Sequence, residues 1–167
     1  MFQRMVLAAA VFYCGGCVAQ DSTMTGQKLF FGIGIGIDHG GFGFRLDGRI
    51  IPAMGVFVGA GYNLAGVGWN SGVHLRIRPT HRFCPYATAM YGYNAAIRTE
   101  NAKGQYVGGT NFNGPSFGCG FEMRALYGTN YMQLGILFPV RSKEAIEAFE
   151  GREPPLWPVL ITGGVHF

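Results

Sequence analysis

Charge is what this 167-residue chain has least of. Asp, Glu, Lys and Arg make up 13% of it, about half the share of an ordinary soluble domain. The 13 basic residues are scattered along the chain, which excludes a nucleic-acid footprint. Residues of apolar type reach 49%, yet no run approaches the roughly 20 residues of a membrane-spanning helix. Cysteine is scarce: Cys14 and Cys17 lie near the start, Cys84 and Cys119 further on. The four histidines, His39, His74, His81 and His166, lack metal-ligand spacing. No carboxylate pair suggests acid–base work. The sequence therefore assigns no catalytic residue, no cofactor and no metal, and it does not point to an enzyme.

Glycine and aromatics are abundant instead, with 28 Gly and 14% Phe, Trp and Tyr. The stretch Leu29 to Phe44 reads LFFGIGIGIDHGGFGF. It lacks the G-x-G-x-x-G of a dinucleotide fingerprint, because Ile37 stands three residues after Gly34, and no helix pattern follows. The alternation reads as a strand, a tight turn and a second strand.

The N-terminal segment has Arg4, an apolar run from Met5 to Tyr13, and then small residues. This is the layout of a secretory signal peptide over residues 1–19, with Cys17 and Ala19 in the small places before Gln20. Lipid attachment at Cys17 is the competing outcome, though the preceding CGG lacks an aliphatic residue at the third place. The mature domain then covers residues 20–167.

Eight runs with period-two alternation follow, separated by turn residues. They are Lys28–Asp38, Phe42–Ile50, Met54–Asn63, Val67–Arg78, Arg82–Ile97, Pro115–Tyr127, Tyr131–Val140 and Trp157–Phe167. One face of each run is bulky and apolar, such as Phe31, Ile33, Ile35 and Ile37. The other carries glycine and charge: Asp38, Arg45, Asp47, Arg49, His74, Arg76, Arg78, Glu122 and Arg124. Most lengths suit tilted strands crossing a bilayer. A soluble barrel would turn the bulky face inward and present glycine to water, at a cost in strand stability. A membrane barrel turns it outward, between two aromatic girdles. Phe42, Tyr62, Trp69, Tyr93 and Trp157 fall at one set of strand ends, and Phe31, Phe83, Tyr127 and Phe167 at the other. The short connections IPA, PTH and GTN share one side, and the long ones, 98–114 and 141–156, share the other. The expected fold is an all-β, eight-stranded, antiparallel up-and-down transmembrane barrel.

The stretches FFGIGIGIDHGGFG, VGAGYNLAGVGWNSGVHLR, PYATAMYGYNAAI, NGPSFGCGFEMR, ILFPVRS and the closing GGVHF carry a resemblance over essentially the whole mature chain. It resembles the small outer-membrane β-barrel proteins of Bacteroidota. That resemblance implies outer-membrane lipid as the surroundings and the barrel-assembly machinery as a partner, with Phe167 as the recognised terminal aromatic. It implies no reaction.

The inward charges predict a plugged ion-pair network, since charges in a narrow barrel must be paired. A narrow pathway for small anions is the alternative. Asp38, His39 and Ser71 at the rim raise a lipid-modifying enzyme as a weaker reading; His39 beside glycine reads as a turn residue. By parity Cys84 faces the lumen and Cys119 faces outward, so no disulfide is expected between them. Ser142 is placed to cap a short helix over SKEAIEAFE, with Ile146 and Phe149 on one face. The two long loops are the candidate surfaces for an extracellular partner.

Overall fold

In a computed structural model, residues 28–100, 106–126, 129–150 and 157–167 are described, without the side chains at 98, 100 and 106. The strands are β1 (Leu29–Gly36), β2 (Gly41–Ile51), β3 (Met54–Tyr62), β4 (Val67–Arg76), β5 (Phe83–Glu100), β6 (Tyr106–Arg124), β7 (Tyr131–Pro139) and β8 (Leu160–His166). They close into one barrel in chain order, each antiparallel to the next. β8 returns to β1 with Gly32 opposite His166 and Ile35 opposite Gly163. Phe31 and Phe167 exchange backbone hydrogen bonds at 3.1 and 2.9 Å, which extends this seam to the last residue. Residues 1–19, with the expected signal peptide, and the girdle candidate Tyr127 lie outside the described residues.

Because a strand alternates its side chains, closure divides the chain into two chemistries. The outer face is apolar: Phe31, Phe44, Val58, Trp69, Leu75, Phe121, Leu134 and Ile161 are all exposed. Some outer rings meet across neighbouring strands, Phe31 stacking on Phe44 at 5.4 Å and Phe83 on Phe121 at 4.7 Å. The interior is polar, holding Asp38, Arg45, Asp47, His74, Arg76, Glu122 and His166. Apolar side chains also enter the interior, Phe57, Met90 and Leu137 in one small cluster, but most of the large apolar side chains of the wall face outward.

The first departure from period two follows β1. Instead of running to Asp38, the chain leaves the wall at Gly36 and makes a 3-10 turn, Ile37–His39, that folds into the lumen. Ile37 is therefore buried, not outward. Gly40, at φ 72°, reverses the chain with its N–H on the Ile37 carbonyl, in a conformation that favours glycine. The inward glycines make room for this turn. A β-carbon on Gly59 would lie 2.1 Å from the Asp38 carbonyl oxygen, and one on Gly43 would lie 2.4 Å from that of His39.

Two more readings need correction. Tyr93 does not join the outer girdle: Gly92 at φ 150° and a register shift between Tyr93 and Ala95 turn it inward, against the apolar seam of Ile37, Phe57, Met90 and Leu137. Arg78 does not join the lumen either, because β4 ends at Arg76, two residues ahead in the chain, and Arg78 is exposed in the turn before Pro79.

The connection expected over 98–114 is largely a β-hairpin. β5 and β6 pair up to Glu100 opposite Tyr106. β4 pairs with β5 only as far as Asn70–Gly92, and β7 with β6 only as far as Pro139–Ser116. The hairpin therefore stands beyond the barrel wall. The 141–156 connection contains α1 (Lys143–Phe149), and the Ser142 hydroxyl accepts from the Ala145 N–H at 3.2 Å as its N-cap. Ile146 is exposed while Phe149 approaches Phe112 of the hairpin, ring centres 6.5 Å apart, and Ala145 is fully buried.

Candidate functional site

The barrel has a loop end, carrying the hairpin and α1, and a terminal end, where β1 starts and β8 finishes. Between them the interior stacks in tiers. Nearest the loop end lie Ile37, Tyr93 and Leu160 with Phe57, Met90 and Leu137. The Asn70 side-chain amide joins the turn to the wall, donating to the carbonyls of Ile37 and of Tyr93, the latter at 2.9 Å.

The middle tier is built around Arg45. One arm of its guanidinium donates to Asp38 at 2.7 Å and the other to Asp47 at 2.7 Å. The second arm also contacts His74 Nε2, and the guanidinium carbon lies 3.8 Å from the centre of the Phe57 ring. Asp38 accepts from His39 Nδ1 at 3.0 Å and from the Thr162 hydroxyl. Asp47 lies 3.1 Å from His166 Nδ1 and 3.7 Å from His74 Nε2. Tyr86 accepts from Gln133 at 2.9 Å beside them. Asp38, His39, Arg45, Asp47 and His74 are each at most 2% exposed. Two carboxylates hold both terminal arms of this buried guanidinium as a fork, while its Nε has no partner.

The terminal-end tier holds Arg49, Arg76, Glu122 and Arg124. Arg76 Nε reaches both Glu122 oxygens, at 2.8 and 2.9 Å. Arg124 Nη2 lies 4.0 Å from Glu122, and its Nη1 donates to the Pro79 carbonyl. Arg49 lies over the Phe30 ring at 4.1 Å. Tyr131 stacks on His166 with ring centres 4.4 Å apart.

Of the nine residues placed in the lumen by alternation, eight therefore lie inside and Arg78 does not. Alternation did not find His39, which it left in a tight turn at the rim, or Thr162 as a partner of Asp38. The signal for the turn is local: GIDHGG puts glycine on both sides of a short polar pair. The outward aromatics Phe42, Tyr62, Trp69 and Trp157 sit at the loop end, and Phe31, Phe83 and Phe167 at the terminal end. Tyr91 is a further outward aromatic. Cys84 is buried and Cys119 exposed, both as free thiols. Among the described residues no group of three or more His, Cys, Asp or Glu is placed to hold a metal ion.

The arrangement can do two things chemically. The middle tier closes the barrel to solvent, since its charges are almost completely covered. The terminal-end tier presents guanidinium groups at a partly open mouth, for Arg49 and Arg124 are half-buried. Compared with family models, with curated proteins and with solved structures, the chain finds no match.

Proposed function

We propose that the chain is an integral outer-membrane β-barrel of a Gram-negative bacterium, with a structural or surface-interaction role. The observation that carries this is the reversed polarity of the barrel. The charges of the wall are inside and most of its large apolar side chains are outside, on every side of a closed wall. Such a surface far exceeds the apolar patches that monomeric soluble proteins expose, and a bilayer covers it. Six strands of 7 to 11 residues, with aromatics at both ends of the wall, fit the same surroundings. On this reading the terminal end faces the periplasm, the hairpin and α1 face outward, and Phe167 is read by the barrel-assembly machinery. The resemblance to small Bacteroidota barrels points the same way.

The narrow anion pathway is the weaker reading, because the Arg45 tier fills the interior it would have to cross. No catalytic role is proposed. The test is fractionation of the expressing cell with gel migration before and after boiling. The expected result is extraction from the outer membrane by detergent only, with a boil-dependent shift of the folded band. Release into the periplasm without detergent overturns the reading.

A further inference from the structure

Arg49 on β2, Arg76 on β4 and Arg124 on β6 line the terminal-end mouth, and Glu122 is the carboxylate that Arg76 and Arg124 share. Register and glycine geometry bring the first two together. Arg49 pairs with Gly55 in the β2–β3 ladder, and a β-carbon on Gly55 would lie 3.0 Å from Arg76 Nη1. Arg49 rests on aromatic faces, 4.1 Å from the Phe30 ring centre and 5.6 Å from that of Tyr131. Among the described side chains of this tier, three guanidinium groups face one carboxylate, which leaves it with an excess of positive charge. Such an excess is costly in a low-dielectric wall without a counter-charge.

The donors here are also under-used. Arg49 Nε, Arg76 Nη1, Arg124 Nε and the Tyr131 hydroxyl are buried and without hydrogen-bond partners. Arg76 and Tyr131 are only 3% and 2% exposed, so bulk water does not satisfy their open donors, while the half-buried Arg49 and Arg124 beside them keep the mouth open to an anion. Guanidinium forks match the oxygens of a tetrahedral oxyanion better than any other side chain does. Glu122 takes Arg76 Nε and so leaves the far side of that guanidinium for another partner.

We propose that the terminal-end mouth is a binding site for a phosphate-class oxyanion, contacted by Arg49, Arg76 and Arg124 with the Tyr131 hydroxyl as a further donor. The barrel alone carries this site; only the compartment that supplies the anion rests on the membrane reading. The phosphate belongs to a soluble solute or to a lipid headgroup at that end of the barrel.

The test uses the full mature chain folded in phosphate-free dodecylmaltoside, with folding verified by the boil-dependent gel shift. Inorganic phosphate is titrated against chloride at constant ionic strength and followed by calorimetry and by the thermal unfolding midpoint. Saturable binding is expected, with a midpoint that rises with phosphate and not with chloride. Arg49→Gln and Arg124→Gln should each weaken binding about tenfold or more. Arg141→Gln, at the opposite end, should leave it unchanged. Absence of saturable phosphate binding overturns the proposal, as does equal weakening by Arg141→Gln. Should Arg49→Gln fail to fold, Arg124→Gln and the midpoint of the unaltered chain decide. Dihexanoylphosphatidylglycerol binding much tighter than glycerol phosphate assigns the lipid source, and equal binding assigns a soluble one.

Discussion

Arg45 is the side chain on which the interior depends most. Its two arms hold Asp38 and Asp47, and through them the inward turn and His166. Arg45→Leu leaves two buried carboxylates without their cation, an effect of about 3–5 kcal/mol. Urea unfolding of the detergent-folded barrel should show that loss, and Arg45→Lys should recover only part of it, because an ammonium cannot span both carboxylates as a fork. The glycines give a sharper contrast. Gly59→Ala would press a methyl onto the Asp38 backbone at 2.1 Å, whereas at Gly48 the nearest atom lies 3.6 Å away. Overpacking costs about 1–3 kcal/mol, so Gly59→Ala should lower the urea midpoint while Gly48→Ala leaves it near the parent value. At this scale the sequence was readable where a residue sits in a regular ladder. Arg45, Asp47, His74 and Glu122 follow from alternation alone. Ile37, Tyr93 and Arg78 do not, because each lies where the period breaks: at an inward turn, at the start of a bulge, and past a strand end.

The elements divide between those that close the wall and those that stand on it. All eight strands were legible as apolar and polar alternation, because a closed wall with an apolar outside and a polar inside requires it. The outer half of the β5–β6 hairpin was not, since beyond the wall neither face needs to be apolar. Gly108, Gly109, Thr110 and Asn111 read as loop chemistry although they pair across a ladder. α1 was legible from its cap, but its contact with Phe112 was not, being set by the hairpin's extension. Replacing residues 97–110 with a tight turn should leave the closed ladder and its boil-dependent gel shift intact, because the wall pairs of β5 and β6 begin at Gly92–Gly114. Loss of the shift in that variant would show the hairpin to be part of the folding unit.

The whole molecule combines two properties, closure and an outward apolar face. Closure comes from the middle tier, whose charges are covered on all sides, so planar-bilayer recordings should show no steady conductance above that of the lipid alone. Steady anion-selective steps that fall on replacing Arg45 and Arg76 would instead support the channel. Polarity has a more direct probe in the native chain. Cys119 lies mid-strand on β6, points outward and is exposed on the isolated barrel. Only surrounding lipid would keep a water-soluble reagent from it. Outer membranes containing the protein are treated with a charged maleimide before and after denaturation, and the Cys119 peptide is weighed by mass spectrometry. Labelling is expected only after denaturation; rapid labelling of the folded protein in the membrane fraction would contradict an outward face covered by lipid.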